Sequence, residues 1–456
     1  MKTKLFDVVI AGAGLSGLSI AHFLKKSRPD LEILVVEKTS RAGGVIQSMN
    51  KDGFLAEWGP HGFLNNVEES KELLTDLGLM DEALLAPLKQ FKRYICLDGK
   101  LKQIPQSPLK IISSDIMPFF SKVRVLADLW KKPRSEEQTV ADWTAHRFGK
   151  AMLPFADVVM TGTFAGDIEK LSIDAAMPGL RHLELTAGSV FRGAIKAQKG
   201  KIRSGMPSMI SFKNGVEHLI NRLVEDKTIE FNSHVEEIIK NESGWIIKAG
   251  EKEFQAKQLV LALHINQALP ILNRISPAPH LSVPEARIFN VVMGFGPEAE
   301  IPFGFGFLAP KTEKRFVLGT LFPSHMFPGR APQKTMTLEA LVGGIRNPEH
   351  FKLDDSELIE KAYNDIKKLI KLPKPPVFSK VLRTPTGIPQ LEIGHHAFQT
   401  YRDRLENEQS GLHICGFGWD GIGTNDMIKH ARLTARNLIE GKPEAKDQPK
   451  AKGIYV

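Results

Sequence analysis

The sequence predicts an α/β protein whose Rossmann-type nucleotide-binding domain is discontinuous, interrupted by an inserted helical segment and by a mixed-sheet substrate segment. Three observations carry this reading. A Gly-x-Gly-x-x-Gly turn (Gly12, Gly14, Gly17) stands between an apolar, β-branched run and a helical stretch. A second apolar run ends on an acid, Glu37. Strand-like sequence then returns at 206–267 and again at 412–415, where it runs through a glycine loop into a helix.

Residues 7–11 read as a strand buried on both faces, of the kind that fills parallel sheets. Gly12 permits the tight turn, Gly14 lets backbone approach a pyrophosphate, and Gly17 lets the following helix pack closely on the strand. That helix is expected over 18–26, and its free N–H groups, near Leu15 and Ser16, suit phosphate oxygens. A strand over 32–36 then places Glu37 to accept hydrogen bonds from ribose hydroxyls. The segment that follows, Lys38-Thr39-Ser40-Arg41-Ala42-Gly43-Gly44, suggests a second phosphate-side loop. Arg41 can pair with a pyrophosphate as a charged fork, Lys38 stands close by, and Gly43 and Gly44 let backbone approach an extended ligand.

Residues 54–64 hold a Gly59-Pro60 turn followed by His61, and 68–86 carry helical spacing. A hairpin is expected at 94–101 around Asp98-Gly99. Residues 109–132 combine bulky apolar side chains with basic edges, a pattern that suits either an interfacial helix or a helix packed inside the protein. Helices are expected at 139–158 and 173–198. Strands at 208–212, 229–231, 235–240, 244–249 and 258–263 flank a helix at 215–225. Residues 268–385 alternate short strands with a helix at 355–371, a separate sheet forming one wall of a pocket. Strand 412–415 leads through Gly416, Gly421 and Gly423 to a helix over 425–440, a second anion-type site that includes Thr424. The chain thus divides into nucleotide-binding pieces 1–86, 205–267 and 386–441, a helical segment 87–204, a substrate segment 268–385 and a disordered tail 442–456.

Composition narrows the function. Two cysteines, Cys96 and Cys415, exclude a disulfide framework and lack metal-ligand spacing, so no metal site is expected and a reducing, cytoplasmic compartment fits. No apolar run is long enough to span a membrane, and the opening residues leave no room for a signal peptide. The net charge of +9, spread along the chain, suits a solvated basic surface, an anionic lipid surface or a carboxylate-bearing substrate. Without a basic-aromatic module, no nucleic-acid partner is expected.

The 37–44 segment resembles the FAD-binding amine-oxidase superfamily. Further stretches are similar to motifs of the oxygen-dependent protoporphyrinogen oxidase family. They are Gly162-Thr163-Phe164-Ala165-Gly166-Asp167, Gly188-Ser189-Val190-Phe191-Arg192-Gly193, Gly304-Phe305-Gly306-Phe307-Leu308, Leu318-Gly319-Thr320-Leu321, Pro389-Gln390 and Gly421-Ile422-Gly423-Thr424. In their order they cover nearly the whole chain. The resemblance implies FAD as cofactor, with the backbone of Val235 meeting its adenine and the C-terminal glycine loop facing its ring. It implies a porphyrinogen as substrate and dioxygen as acceptor, giving hydrogen peroxide over three two-electron cycles of haem synthesis. Phe305 and Leu321 would sandwich the macrocycle, Gly306 would contact it too, and Gly162 and Phe164 would let it approach. One position departs from the pattern. Some members carry an arginine after the Gly-Pro turn that anchors a propionate, and here His61 is a weaker anchor, with Arg192 as an alternative. Coproporphyrinogen III stays open beside protoporphyrinogen IX. So do an amine oxidase or polyene desaturase of the same superfamily, and an inactive FAD-stabilised binding protein. Peripheral attachment to the cytoplasmic face of a membrane is expected through 87–204, with a homodimer as a candidate assembly.

Overall fold

A computed structural model describes residues 4–105, 114, 116–198, 206–280 and 282–441. The 442–456 tail and residues 109–113 and 115 of the amphipathic stretch lie outside the described residues.

The central sheet follows from the apolar runs. Leu5–Ala11 is flanked by Ile33–Val36 and Lys252–Ala262, all parallel, with Ile229–Glu230 beyond Ile33–Val36. The long strand Lys252–Ala262 divides its outer edge. Residues 252–256 pair antiparallel with Gly244–Ala249, and 259–262 pair parallel with Leu412–Cys415. Val8, Val9 and Ile10 are almost wholly buried because both faces are covered. Helices Leu15–Ser27 and Thr424–Glu440 pack on one face through Leu18, Phe23, Ile428 and Ala431. Helices Ile265–Leu272 and His396–Glu408 cover the other through Leu269, Phe398, Tyr401 and Leu405.

A second, mixed sheet of seven strands runs Phe378–Arg383, Ile288–Phe295, Met336–Gly343, Val317–Leu321, Gly306–Leu308, Arg93–Leu97 and Lys100–Gln103. Its core holds Phe289, Phe295, Phe307 and Phe322, covered by helix Asp355–Ile366. A small antiparallel sheet joins Phe63–Leu64, Ser208–Phe212 and Ala83–Pro87.

Several elements differ from their sequence expectation. The helix expected over 68–86 ends at Asp76, where Gly78 takes φ +68°, and 83–87 becomes a strand. The helix expected at 139–158 breaks at Gly149, with φ +93°, giving Val140–Arg147 and Leu153–Phe164. Helix 173–198 is three pieces, interrupted before Pro178 and at left-handed Gly188. The 93–103 hairpin pairs with Gly306–Leu308 and belongs to the second sheet, not to the helical segment in which the sequence reading placed it.

The helical segment is built around a buried charge cluster. Arg147, fully buried, donates from Nε to Glu184 at 2.7 Å and pairs with Asp128 at 3.2 Å. Trp143 Nε1 and Arg181 Nη1 donate to the other Glu184 oxygen at 2.6 and 2.7 Å. Among the described residues no helix is long and apolar enough to cross a membrane.

Candidate active site

One cavity of about 2430 Å³ runs from the opening β–turn–α unit to the second sheet. A site for one drug-sized ligand reaches about 1,000 Å³. The cavity therefore has room for a dinucleotide and a second large molecule together.

The nucleotide end assembles as the glycines require. Gly12 adopts φ +104°, and a Cβ there would meet the Ala262 carbonyl at 2.7 Å. At Gly17 a Cβ would lie 1.9 Å from the Gly12 oxygen, so only glycine lets the helix sit on the turn. Helix Leu15–Ser27 begins without a side-chain cap after Gly14, which leaves its first amides free for an anion. Glu37 closes the second strand with 8% exposure. It accepts from Ala13 N at 3.0 Å and from Thr39 N and Oγ1 at 2.9 and 2.8 Å. Its carboxylate thus ties the turn to the following loop, and it lines the cavity with Lys38 and Val235.

The second glycine loop docks on the first. Gly43 N donates to Ala13 O at 2.8 Å, and Gly14 bridges Gly43. Arg41 lines the cavity, but its guanidinium donates to the carbonyls of Ala42, Gly44 and Ile46. It frames the loop as well as offering charge to a ligand. Gly44, Gly59 and Pro60 line the cavity, and a Cβ at Gly59 would strike Val45 O at 2.3 Å. Opposite them Gly421, Gly423 and Thr424 bring in the N-terminus of Thr424–Glu440, where Asp426 accepts from Gly423 N at 3.1 Å. Two of the expected contacts, Gly17 and Gly416, shape backbone behind the cavity without lining it.

At the far end His61, Gly162, Phe164, Phe305, Gly306 and Leu321 line the cavity together. Gly306 and Leu321 are register partners on adjacent strands. Arg192, by contrast, is exposed on helix Val190–Gln198 and does not line the cavity.

His61 is not a free cation. Its Nε2 lies 2.6 Å from Oε2 of Glu339, which is 1% exposed on the second sheet. Asn290 donates to the same oxygen and to the Glu57 carbonyl. Glu57 in turn holds Arg330 at 2.9 Å and Ser48 at 2.5 Å. Burial works against a charged His61, but Glu339, with Glu57 behind it, outweighs both burial and Arg330 and holds the imidazole above its ordinary pKa.

Sequence reasoning missed Glu339, Asn290 and Arg93, all lining or bordering the far end. The signal was present for one of them: Glu339 is a charge set inside an otherwise apolar strand. Among the described residues no three His, Cys, Asp or Glu converge to hold a metal.

FAD fits this cavity: two glycine turns and a helix N-terminus would hold its phosphates, and Glu37 would accept from its ribose. Residues 15–439 match the flavin containing amine oxidoreductase family. The chain is 27% identical to a coproporphyrinogen III oxidase of Staphylococcus aureus over 95% of its length and 99% of that protein. It is 28% identical to a mitochondrial protoporphyrinogen oxidase of Nicotiana tabacum over 92% of each. Cyclohexylamine oxidase from Brevibacterium oxydans shares the fold, with a TM-score of 0.70 at 18% identity over 96% of this chain and 99% of that one. By its family match and its paired glycine cradles, the chain belongs to the flavin containing amine oxidoreductases and is an FAD-dependent oxidoreductase.

Proposed function

We propose that the chain oxidises a porphyrinogen, protoporphyrinogen IX in the first instance, to the porphyrin. The observation that carries this is the continuity of one large cavity from the nucleotide cradle to a chamber walled by Phe305, Leu321 and Phe164. A flat, greasy macrocycle suits such walls. The relatives named as porphyrinogen oxidases support the substrate class, and coproporphyrinogen III remains the alternative within it. Bound FAD would supply the redox chemistry: each two-electron oxidation removes a hydride from a bridging carbon and a proton from a pyrrole N–H, three of them convert porphyrinogen to porphyrin, and dioxygen as the acceptor would leave as hydrogen peroxide. The protein's own contribution is to hold the macrocycle between Phe305 and Leu321, to keep water from it, and to present the His61–Glu339 pair beside it.

The chain also fits peripheral attachment to an anionic membrane. Phe119, Phe120 and Trp130 are 66%, 85% and 75% exposed, with Val123 and Leu126 beside them in sequence. Lys131 and Lys132 are exposed next to this apolar patch. A site that takes a greasy substrate gains from sitting at such a surface.

The test is to mix the flavin-loaded protein anaerobically with each porphyrinogen and then admit dioxygen. Bleaching of the flavin absorbance, followed by porphyrin fluorescence and hydrogen peroxide, is the expected result. Bleaching by amines and not by either porphyrinogen would refute the reading.

A further inference from the structure

His61 stands where the two ends of the cavity meet. The residues just before it, Gly59 and Pro60, line the cavity across from the C-terminal glycine loop, and its own side chain reaches the second sheet at Glu339. A dinucleotide held by its phosphates at Gly14 and by its ribose at Glu37 would extend its ring end toward this junction, where the chamber walled by Phe164, Phe305 and Leu321 begins.

The pair is lopsided. The Glu339 side chain is 1% exposed and lies behind, whereas the imidazole is 16% exposed and lines the cavity. Nε2 is taken by Glu339, which leaves Nδ1 as the ring's other donor. The pair therefore turns its positive pole toward the cavity. The charged groups around the imidazole are Glu339 on Met336–Gly343, Glu57 on Phe54–Glu57, and Arg330 in the connection that precedes Met336–Gly343. Burial and Arg330 oppose its charge, and the two carboxylates outweigh them and hold it above the ordinary 6.5. His264 and His430 also line the cavity, but burial pushes both below their ordinary value. They are neutral where His61 is charged.

A fixed cation at this junction suits one step of the oxidation in particular. When dioxygen takes its first electron from the reduced cofactor it becomes superoxide, an anion, among apolar walls. An anion without a partner is costly there, and a preorganised positive group offsets that cost most strongly where the dielectric is low. Over the whole step dioxygen gains two electrons and two protons, one proton from the reduced flavin and one from solvent, and leaves as hydrogen peroxide.

We propose that His61, as an imidazolium seated on Glu339, stabilises the superoxide formed beside it and so makes the site reactive toward dioxygen, an assignment that rests on the oxidase reading above. Glu339 is its positioning residue, since it keeps the proton on the ring and the ring in place.

The experiment photoreduces the flavin-loaded protein anaerobically, mixes it with dioxygen by stopped flow and follows the return of flavin absorbance, with His61→Gln, His61→Arg and Glu339→Gln alongside. Photoreduction keeps the porphyrinogen out of the measurement. The second-order constant of the intact protein is expected to be highest below 6.5 and to fall as pH rises through the His61 midpoint read by ring-proton NMR. His61→Gln lowers the low-pH constant about a hundredfold and flattens the profile. His61→Arg stays fast and is also flat, because a guanidinium keeps its charge. Glu339→Gln moves the descent to lower pH together with the NMR midpoint. Sulfite, an anion that adds to oxidised flavin, gives an equilibrium readout: its binding is expected to weaken about tenfold in His61→Gln and to recover in His61→Arg. If His61→Gln does not hold flavin, the profiles of the intact protein and Glu339→Gln decide. Unchanged reoxidation and sulfite binding in His61→Gln, or a profile that ignores the His61 midpoint, overturns the assignment, while flavin bleaching by a porphyrinogen leaves the function standing. If the intact protein reoxidises no faster than unbound reduced flavin, dioxygen is not its acceptor, and that part of the reading falls with the assignment.

Discussion

The imidazole of His61 and the carboxylate of Glu339 lie 2.6 Å apart, joining the Gly-Pro turn of the nucleotide-binding part to the second sheet. The pair sets a pH dependence. His61 stands above its ordinary value of 6.5, so it contributes stability that is complete below 6.5 and is lost as pH rises through the higher folded value. In Glu339→Gln burial loses its main opponent, and the His61 midpoint is expected to fall. Ring-proton NMR against pH reads this directly. The stability gap between the intact protein and Glu339→Gln should also narrow as pH rises above the ordinary value of 6.5. A midpoint that does not move removes Glu339 from this role.

The cofactor cradle depends on two positions for different reasons. Gly17→Ala drives a methyl into the Gly12 carbonyl and is expected to cost at least about 2 kcal/mol and most of the bound flavin. Glu37→Ala frees the amides of Ala13 and Thr39 and removes the ribose acceptor, which should weaken FAD binding about ten- to a hundredfold. The flavin-to-protein absorbance ratio after dialysis checks both. Full flavin retention in Gly17→Ala would contradict the close packing.

Glu184→Ala leaves Arg147 and Arg181 facing each other in a buried space without their shared acceptor. The expected loss is about 3–5 kcal/mol, the usual result of breaking a buried pair from one side. Denaturant midpoints read it, and a loss under about 1 kcal/mol would show that the cluster relaxes to water.

Phe120→Glu combined with Trp130→Glu places negative charge on the exposed apolar patch. Sedimentation with anionic vesicles is expected to drop severalfold for the double variant and to weaken with salt for the intact protein. Sedimentation that is equal in both proteins would remove this patch as the attachment surface.

The nucleotide-binding part was legible because its rules are local. The strands 208–212, 244–249 and 412–415 end where the sequence places them, since apolar, β-branched runs are bounded there by turn residues. Helix lengths were less legible: Gly78, Gly149 and Gly188 each take a left-handed or otherwise positive φ that ends a helix, and an isolated glycine in a helical pattern does not announce that choice. Helix His396–Glu408 was missed altogether, because its apolar positions 398, 401 and 405 are sparse among charges. At the site, Gly12, Gly14 and Glu37 lie within one β–α–β unit, so spacing alone locates them. The Glu339–His61 pair depends on bringing distant segments together, and only the unusual presence of a charge in an apolar strand hinted at Glu339.

The split edge of Lys252–Ala262 has a consequence for biosynthesis. Residues 259–262 wait for 412–415, and the helix that closes the phosphate cradle begins only at Thr424. A ribosome must release the chain through Cys415 before that edge is covered. Until then it is an open template for pairing with another nascent molecule. Chains stalled short of Leu412 should therefore emerge colourless and aggregation-prone, and pigment acquisition reports that synthesis has passed that strand and the helix after it.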